Sequence, residues 1–263
     1  MKFFKNKKIL ITGGAGFIGS HLVDYLISMK HDVIIVDNMS ANNEKFYWNE
    51  MATAKVVDIT DYERMRPLFD GVDYVFHLAA QALVKKSYSN PIYTWETNAI
   101  GTINILESLR SLKKKCIAVL ITSDKSYKNL EIKRGYVEND ILGGKDPYSA
   151  SKASAELVIQ SYLSSFFPLQ KTKVIIGIAR AGNVIGGGDW AKDRLIPDAV
   201  KKWSKNKKII IRNKKSTRPW QHVFEALYGY MILAIKLEKD KKINGESFNF
   251  GPNEKNINTV EDI

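Results

Sequence analysis

The stretch "ITGGAGFIGSHL", Ile11 to Leu22, narrows the choice of fold more than any other part of the chain. Gly13, Gly16 and Gly19 recur at three-residue intervals between the apolar run "KKILIT" and a segment, Gly16 to Met29, that reads as a helix. Glycines so spaced let the backbone turn tightly and approach a ligand, and the free N–H groups and dipole of the helix that follows favour an anion. A glycine triplet alone is a weak signal; one that follows a strand and opens a helix predicts a pyrophosphate cradle and so a dinucleotide site. The next strand-like run, "DVIIVD", ends at Asp37, eighteen residues past Gly19. A carboxylate there accepts hydrogen bonds from the adenosine ribose hydroxyls and repels a 2′-phosphate, which favours NAD over NADP. Asp58, after the following apolar run, either brackets the adenine side or serves as a turn residue.

The same rhythm continues for more than half the chain. "AKVVD", "VDYVFHLAA", "CIAVLITS" and "KVIIGIAR" read as strands, while "DYERMRPLF", Pro91 to Arg110 and Pro147 to Phe166 read as helices. Strands this apolar, alternating with helices, predict an α/β fold of the Rossmann type, a doubly wound parallel sheet covered on both faces. After Arg180 the pattern changes. "AGNVIGGGDW" is a glycine-rich loop, "RLIPDAVKKW" a helix, "KIIIR" a short strand and "HVFEALYGYMILAIKLEK" a helix. The reading is therefore a dinucleotide-binding domain over residues 1–180 and a smaller mixed α/β lobe over 181–263. The final "NINTVEDI" reads as the opening of a helix that does not follow, so this lobe is expected to be incomplete.

Bulk properties exclude several alternatives. No window approaches the roughly 18 consecutive apolar residues of a membrane span. The basic N-terminus leads straight into the glycine turn, unlike a signal peptide. One cysteine, Cys116, cannot close an internal disulfide and suits a reducing, cytoplasmic setting. One Cys and four His assemble no metal cluster at credible spacing. The net charge of +12 raises the question of nucleic acid, but only eight of the 40 basic residues are Arg. The lysines lie in short scattered clusters without aromatic platforms, so a solvated basic surface suited to anionic substrates is the better reading.

Two further stretches carry chemistry. "DPYSASKASAELV" sets Tyr148 and Lys152 four residues apart, just inside a helix that Pro147 starts well. That spacing puts both on one helix face. A phenol, with a pKa of about 10, is a poor base until a neighbouring ammonium stabilises the phenolate. The pair thus suits removal of a proton from a sugar hydroxyl. "TSDKSYKN" follows an apolar strand and sets a hydroxyl, Thr122 or Ser123, beside the carboxylate of Asp124 and the amine of Lys125.

Taken together these residues resemble the extended short-chain dehydrogenase/reductase superfamily, in the branch that acts on nucleotide sugars. "HLAAQALVKKSYSNPIYTWETNAIGTINILES", "GYVENDILGGKDPYSASKASAELV", "ARAGNVIGGGDWAKDRLIPD" and "STRPWQHV" are similar to the CDP-glucose 4,6-dehydratases, and the likeness spans nearly the whole chain. The resemblance implies oxidation at C4 with Tyr148 as base and Lys152 as its tuner, and with Thr122 or Ser123 orienting the same oxygen. It implies Asp124 as the acid that expels the C6 hydroxyl. Lys125, where dehydratases of the superfamily usually carry Glu but where the Ser-Asp-Lys variant is similar to the CDP-glucose enzymes, would act at C5 as a free amine, through a relay, or by charge. At a retained NAD it implies Gly13, Gly16, Phe17, Ile18, Gly19, Asp37, Asp58, Ile59, Leu78, Ala79, Ala80 and Asn98, together with Tyr148 and Lys152. At the substrate it implies Asn183, Arg194 and Arg218, the two guanidinium groups being suited to a pyrophosphate. Trp190 and Trp220 are expected to pack, His77 to be structural, and His222 to start a helix. A homodimer through the helices that begin at Pro91 and Pro147 is a further implication, as is a place in polysaccharide biosynthesis.

Two departures keep other readings open. The glycine turn has the form usual in nucleotide-sugar epimerases, and the segment following Asp37 does not resemble the CDP-glucose enzymes closely. A 4-epimerase, or a dehydratase acting on another nucleotide sugar, is the alternative, with Asp124 against simple epimerisation. A non-catalytic NAD-binding scaffold or sensor is the alternative of another class.

Overall fold

The computed structural model describes residues 4–40, 49–168, 172–211, 213–253 and 258–262. Part of the segment that follows Asp37, residues 41–48, lies outside them. The chain begins with strand β1 (Lys8–Thr12), helix α1 (Phe17–Ser28), β2 (Asp32–Asp37), β3 (Thr53–Val56) and α2 (Tyr62–Met65). It continues with β4 (Tyr74–His77), α3 (Val84–Ser89), α4 (Pro91–Trp95), α5 (Gly101–Arg110), β5 (Cys116–Ile121), α6 (Pro147–Phe166) and β6 (Val174–Ala181). The remainder holds β7 (Val184–Ile185), α7 (Leu195–Trp203), β8 (Thr217–Arg218), β9 (Gln221–His222), α8 (Val223–Lys239), β10 (Ser247–Phe250) and β11 (Asn258–Thr259).

Seven strands pair in the order β10-β6-β5-β4-β1-β2-β3, all parallel. The order reverses between β1 and β4, whose neighbouring carboxyl ends leave a crevice where ligands bind in such sheets. The apolar runs explain the burial: every residue of β4 and of β6 is buried, as both faces are covered. On one face, Leu22, Val23 and Leu26 of α1 and Leu227, Tyr230 and Leu237 of α8 pack against Ile9, Ile11, Ile117 and Ile175. On the other, Ile105, Leu106 and Leu109 of α5 and Ile159 of α6 pack against Leu10, Val75, Ala118 and Ile176.

Two departures from the sequence reading have physical causes. The helix expected over Pro91–Arg110 runs through the whole span but widens to a π turn at Glu96–Ile100, between α4 and α5. "KIIIR" forms no strand over 208–211, and Ile210 is 81 % exposed, because among the described residues no strand lies alongside it; Arg212 is outside the described residues. Past residue 180 the chain returns α8 to the face of the sheet and β10 to its edge, with Ser247–Phe250 in register with Ile178–Ala181. One core therefore includes both parts of the chain.

Candidate active site

The glycine turn packs closely against the chain around it. Gly13 adopts φ +72°, and a Cβ there would lie 2.6 Å from the Ala79 nitrogen. A Cβ on Gly19 would lie 2.1 Å from the Gly13 carbonyl oxygen. Only glycine allows the turn to press this closely on the end of β4 and on the first turn of α1. Gly16 caps α1 without a side-chain bond, so the helix opens on bare amides. Phe17 and Ile18, partly buried, anchor that first turn on the core.

Asp37 stands at the end of β2, where its Oδ2 accepts from the Ala15 amide (3.1 Å) and its Oδ1 from Met39 (2.8 Å). Burial raises its pKa, with Asp58 adding to the rise and the two amides opposing it. Asp58 is subject to burial as well, but the Asn38 amide at 2.6 Å and Thr60 hold its carboxyl below the ordinary value. A cleft of about 560 Å3 opens here, lined by Asn38, Asp58, Arg64, Lys86 and Tyr93 among others. Ile59 is buried against Gly101, beside the π turn. Thr12 receives the Leu78 amide on its carbonyl (3.0 Å) and the Ala79 amide on its hydroxyl (3.3 Å), which fixes Leu78 and Ala79 beyond β4, with Ala80 next in the chain. His77 bonds the same hydroxyl through Nδ1 at 2.7 Å. Burial, with the charge of Lys152 added, pushes its pKa down to about 3, so the ring is neutral. The Asn98 amide is occupied by Gln81 and Ser151, and so ties the π turn to α6.

At the end of β5 the two candidate hydroxyls separate. Thr122 donates to Glu156 Oε1 at 2.5 Å. Ser123 caps a single 3-10 turn, Asp124–Ser126, accepting from the Lys125 amide and donating to Asp124 Oδ1, both at 3.1 Å. Asp124 is half-buried and Lys125 is exposed. Helix α6 starts where Asp146 accepts from the Ser149 amide (3.0 Å) and Pro147 takes the first position. This puts Tyr148 and Lys152 in the interior, 8 % and 6 % exposed. Burial raises the Tyr148 pKa; a hydrogen bond with Ser123 and the charge of Arg194 act the other way, while Asp124 and Asp146 add to the rise. Lys152 donates to the Ile121 carbonyl at 3.4 Å, and burial draws it down to about 8 against the pull of Glu156.

Of the residues expected at the substrate, Arg194 is held by Asp189 at 2.9 Å and its charge acts on the phenol of Tyr148. Asn183 has a buried Oδ1 without a protein partner among the described residues. Arg218, on β8, donates to the Thr217 carbonyl at 2.7 Å. Trp190 is 49 % exposed and so is not the packing residue expected, while His222 does cap α8. Sequence reading passed over the buried pair of Arg180 and Glu156 beneath the site. The spacing of 148, 152 and 156 along one helix face was its only local signal.

The family profile described as GDP-mannose 4,6 dehydratase matches residues 10–260. A CDP-glucose 4,6-dehydratase of Salmonella typhimurium strain LT2 is 43 % identical over 270 residues, covering 99 % of this chain and 75 % of that protein. Among solved structures, a dTDP-glucose 4,6-dehydratase of Streptomyces venezuelae with NAD bound superposes with TM-score 0.81 at 26 % identity, over 97 % of this chain and 78 % of that one. A UDP-glucose 4-epimerase of Thermotoga maritima with UDP-glucose gives TM-score 0.83 at 27 % identity, over 96 % and 79 %. With a matched profile across almost its whole length, on a seven-stranded parallel sheet with a glycine turn at its switch point, the chain belongs to the GDP-mannose 4,6-dehydratase family, within the extended short-chain dehydrogenases/reductases.

Proposed function

We propose that this chain is an NAD-dependent nucleotide-sugar 4,6-dehydratase that converts CDP-glucose to CDP-4-keto-6-deoxyglucose with net loss of water. The observation that carries this reading is the Ser123–Asp124–Lys125 turn at the end of β5, set against buried Tyr148 and Lys152. The nucleotide follows from the 43 % identity to the Salmonella enzyme.

NAD, when bound, supplies the oxidation of C4 and the later reduction at C6. Gly13, Gly16, Phe17, Ile18 and Gly19 would hold its pyrophosphate, and Asp37 its ribose. Asp58, Ile59, Leu78, Ala79 and Ala80 would line its adenine side and the crevice floor. Asn98 would act by holding the π turn on α6. Tyr148 takes the proton of the C4 hydroxyl at its phenolic oxygen. Ser123 orients that oxygen, since Thr122 is committed to Glu156. Asp124 donates a proton to the departing C6 hydroxyl. Lys125 assists at C5, where its charge stabilises the enolate formed as the proton is lost. Arg194, Arg218 and Asn183 bind the substrate pyrophosphate.

The same reading divides the molecule by role. The cofactor half comprises residues 1–180 with α8 and β10, and the rest of 181–263 faces the substrate. No helix among the described residues is long and apolar enough to cross a membrane. A cytoplasmic homodimer fits the exposed apolar side chains on α4 to α6: Ile92 is 71 % exposed, Ile100 48 % and Leu157 57 %.

A 4-epimerase is the second reading, favoured by the epimerase form of the glycine turn. Mass spectrometry decides between them. CDP-glucose, UDP-glucose and dTDP-glucose are each incubated with purified protein and NAD. Loss of one water from the CDP sugar alone supports the first reading, and a mass-neutral change of sugar supports the second. No reaction with any sugar leaves a binding protein.

A further inference from the structure

Tyr148, Lys152 and Glu156 follow one another at four-residue steps on α6, so they form a column on one face, about 6 Å apart along the axis. All three are buried, Glu156 completely. A buried carboxylate needs partners for both oxygens. Glu156 has them: Arg180 donates from Nε to Oε1 and from Nη2 to Oε2, each at 2.9 Å, and Thr122 adds its hydroxyl to Oε1 at 2.5 Å. Arg180, 2 % exposed, turns its remaining nitrogen, Nη1, to the Tyr127 hydroxyl and the Glu138 carbonyl, both at 2.8 Å. Its guanidinium also lies over the Tyr127 ring, 4.9 Å from the centroid. The arginine is fully occupied, and it fixes the carboxylate as an anion in a single orientation.

Lys152 lies one turn above that anion. Its ammonium has one hydrogen-bond partner among the described residues, the Ile121 carbonyl at 3.4 Å. The titratable groups that act on it or share its helix face are Glu156 and Tyr148 on α6 and His77 on β4; Asp124 and Arg194 act on Tyr148, and Arg180 pairs with Glu156. His77 is neutral and Arg180 faces away toward Tyr127. Glu156 is the group that favours the charged lysine against its burial.

We propose that Glu156 is a positioning residue that keeps Lys152 protonated beside Tyr148, and that Arg180 and Thr122 hold it in the orientation this requires. It acts through Lys152 and through the backbone before Ser123, without touching the substrate. The inference rests on the roles proposed for Tyr148 and Lys152, but its test needs neither substrate nor turnover.

The test is an NMR titration of the lysine side-chain nitrogens in the full chain labelled with [15Nζ]lysine, with Lys152→Arg identifying the Lys152 resonance. The unaltered protein should titrate there near pH 8. Glu156→Gln keeps the shape but loses the charge, and should move the titration at least one pH unit lower. Glu156→Asp keeps the charge and should leave it near its original place. Should Glu156→Gln fail to fold with Arg180 unpaired, the double variant Glu156→Gln/Arg180→Met is read against Arg180→Met alone, so that loss of the guanidinium is common to both, with a lower titration expected in the double variant. An unmoved titration in Glu156→Gln, or in the double variant against Arg180→Met, overturns the assignment. A shifted titration in a protein that dehydrates no sugar would refute the proposed activity and leave this coupling standing.

Discussion

Lys152 sits in the interior at 6 % exposure, and burial draws its ammonium from 10.5 to about 8. That displacement is a cost to folding of roughly 3 kcal/mol at about 1.4 kcal/mol per pH unit. Below pH 8 both the folded and the unfolded chain hold the proton, so the whole cost is present. Between pH 8 and 10.5 the unfolded chain holds the proton and the folded chain has released it. Stability contributed by this group therefore rises with pH through that window. Methionine at this position fills similar volume and bears no such cost, though it leaves the Ile121 carbonyl without its donor, a loss of about 1 kcal/mol. Lys152→Met is thus expected to stabilise the fold by about 1–3 kcal/mol at pH 7, while abolishing the activity proposed above.

Urea unfolding of both proteins without cofactor, at pH 7 and at pH 9.5, measures the effect. The advantage of the variant should shrink by about 2 kcal/mol between the two, since the unaltered protein recovers that much as Lys152 loses its proton. Titration of the rest of the chain is common to both and cancels in the difference. A gap that is the same at the two pH values, or a variant less stable at both, would refute the reasoning.

Ser123→Ala should lower kcat about 100-fold by removing a bond made to the reacting oxygen. Thr122→Val should instead cost about 1–3 kcal/mol of stability, by leaving Glu156 short of a donor, with a much smaller effect on kcat; steady-state kinetics and urea unfolding on both variants separate the two. Arg180→Met leaves Glu156 buried without its cation and is expected to destabilise by about 3–5 kcal/mol, read from the unfolding midpoint. Gly13→Ala forces a side chain into 2.6 Å of the Ala79 nitrogen at φ +72°, and should abolish NAD binding in calorimetry; unchanged affinity would remove the glycine turn from the cofactor site.

Where the chain announces its own geometry locally, sequence and structure agree to the residue. Helix α6 spans Pro147–Phe166 as expected, because an Asp cap and a proline define its start without help from elsewhere. The end of β2 at Asp37 is equally local. What escaped notice depends on partners far away in the chain. Thr122 and Ser123 are equivalent as neighbours in sequence; Glu156, 34 residues on, distinguishes them by taking the first hydroxyl. "KIIIR" has the composition of a strand, but backbone hydrogen bonds need a neighbour, and none is alongside it among the described residues. "SFNF" is less apolar than the other strands because it lies at the sheet edge, and only its pairing with β6 marks it as part of that sheet.

These long-range contacts differ in strength, and the difference divides the site mechanically. The floor beneath Tyr148 and Lys152 is held by the Arg180–Glu156 pair, buried and hydrogen-bonded throughout, which cannot open without stranding a charge in the interior. The far part of the glycine-rich loop, toward Arg194, meets α1 and α3 through groups nearer the surface. His21 of α1 bonds the Gly187 carbonyl at 2.8 Å, and Lys85 of α3 pairs with Asp193, each half of that pair being largely solvated. Exposed pairs are worth about 0–1 kcal/mol, so these two ties add little to the core packing and strand pairing that hold the start of the loop. On the roles proposed above, the proton-transfer groups would then keep their places through oxidation, elimination and reduction, while the sugar nucleotide would enter and leave on the side of Arg194, where the ties are weaker.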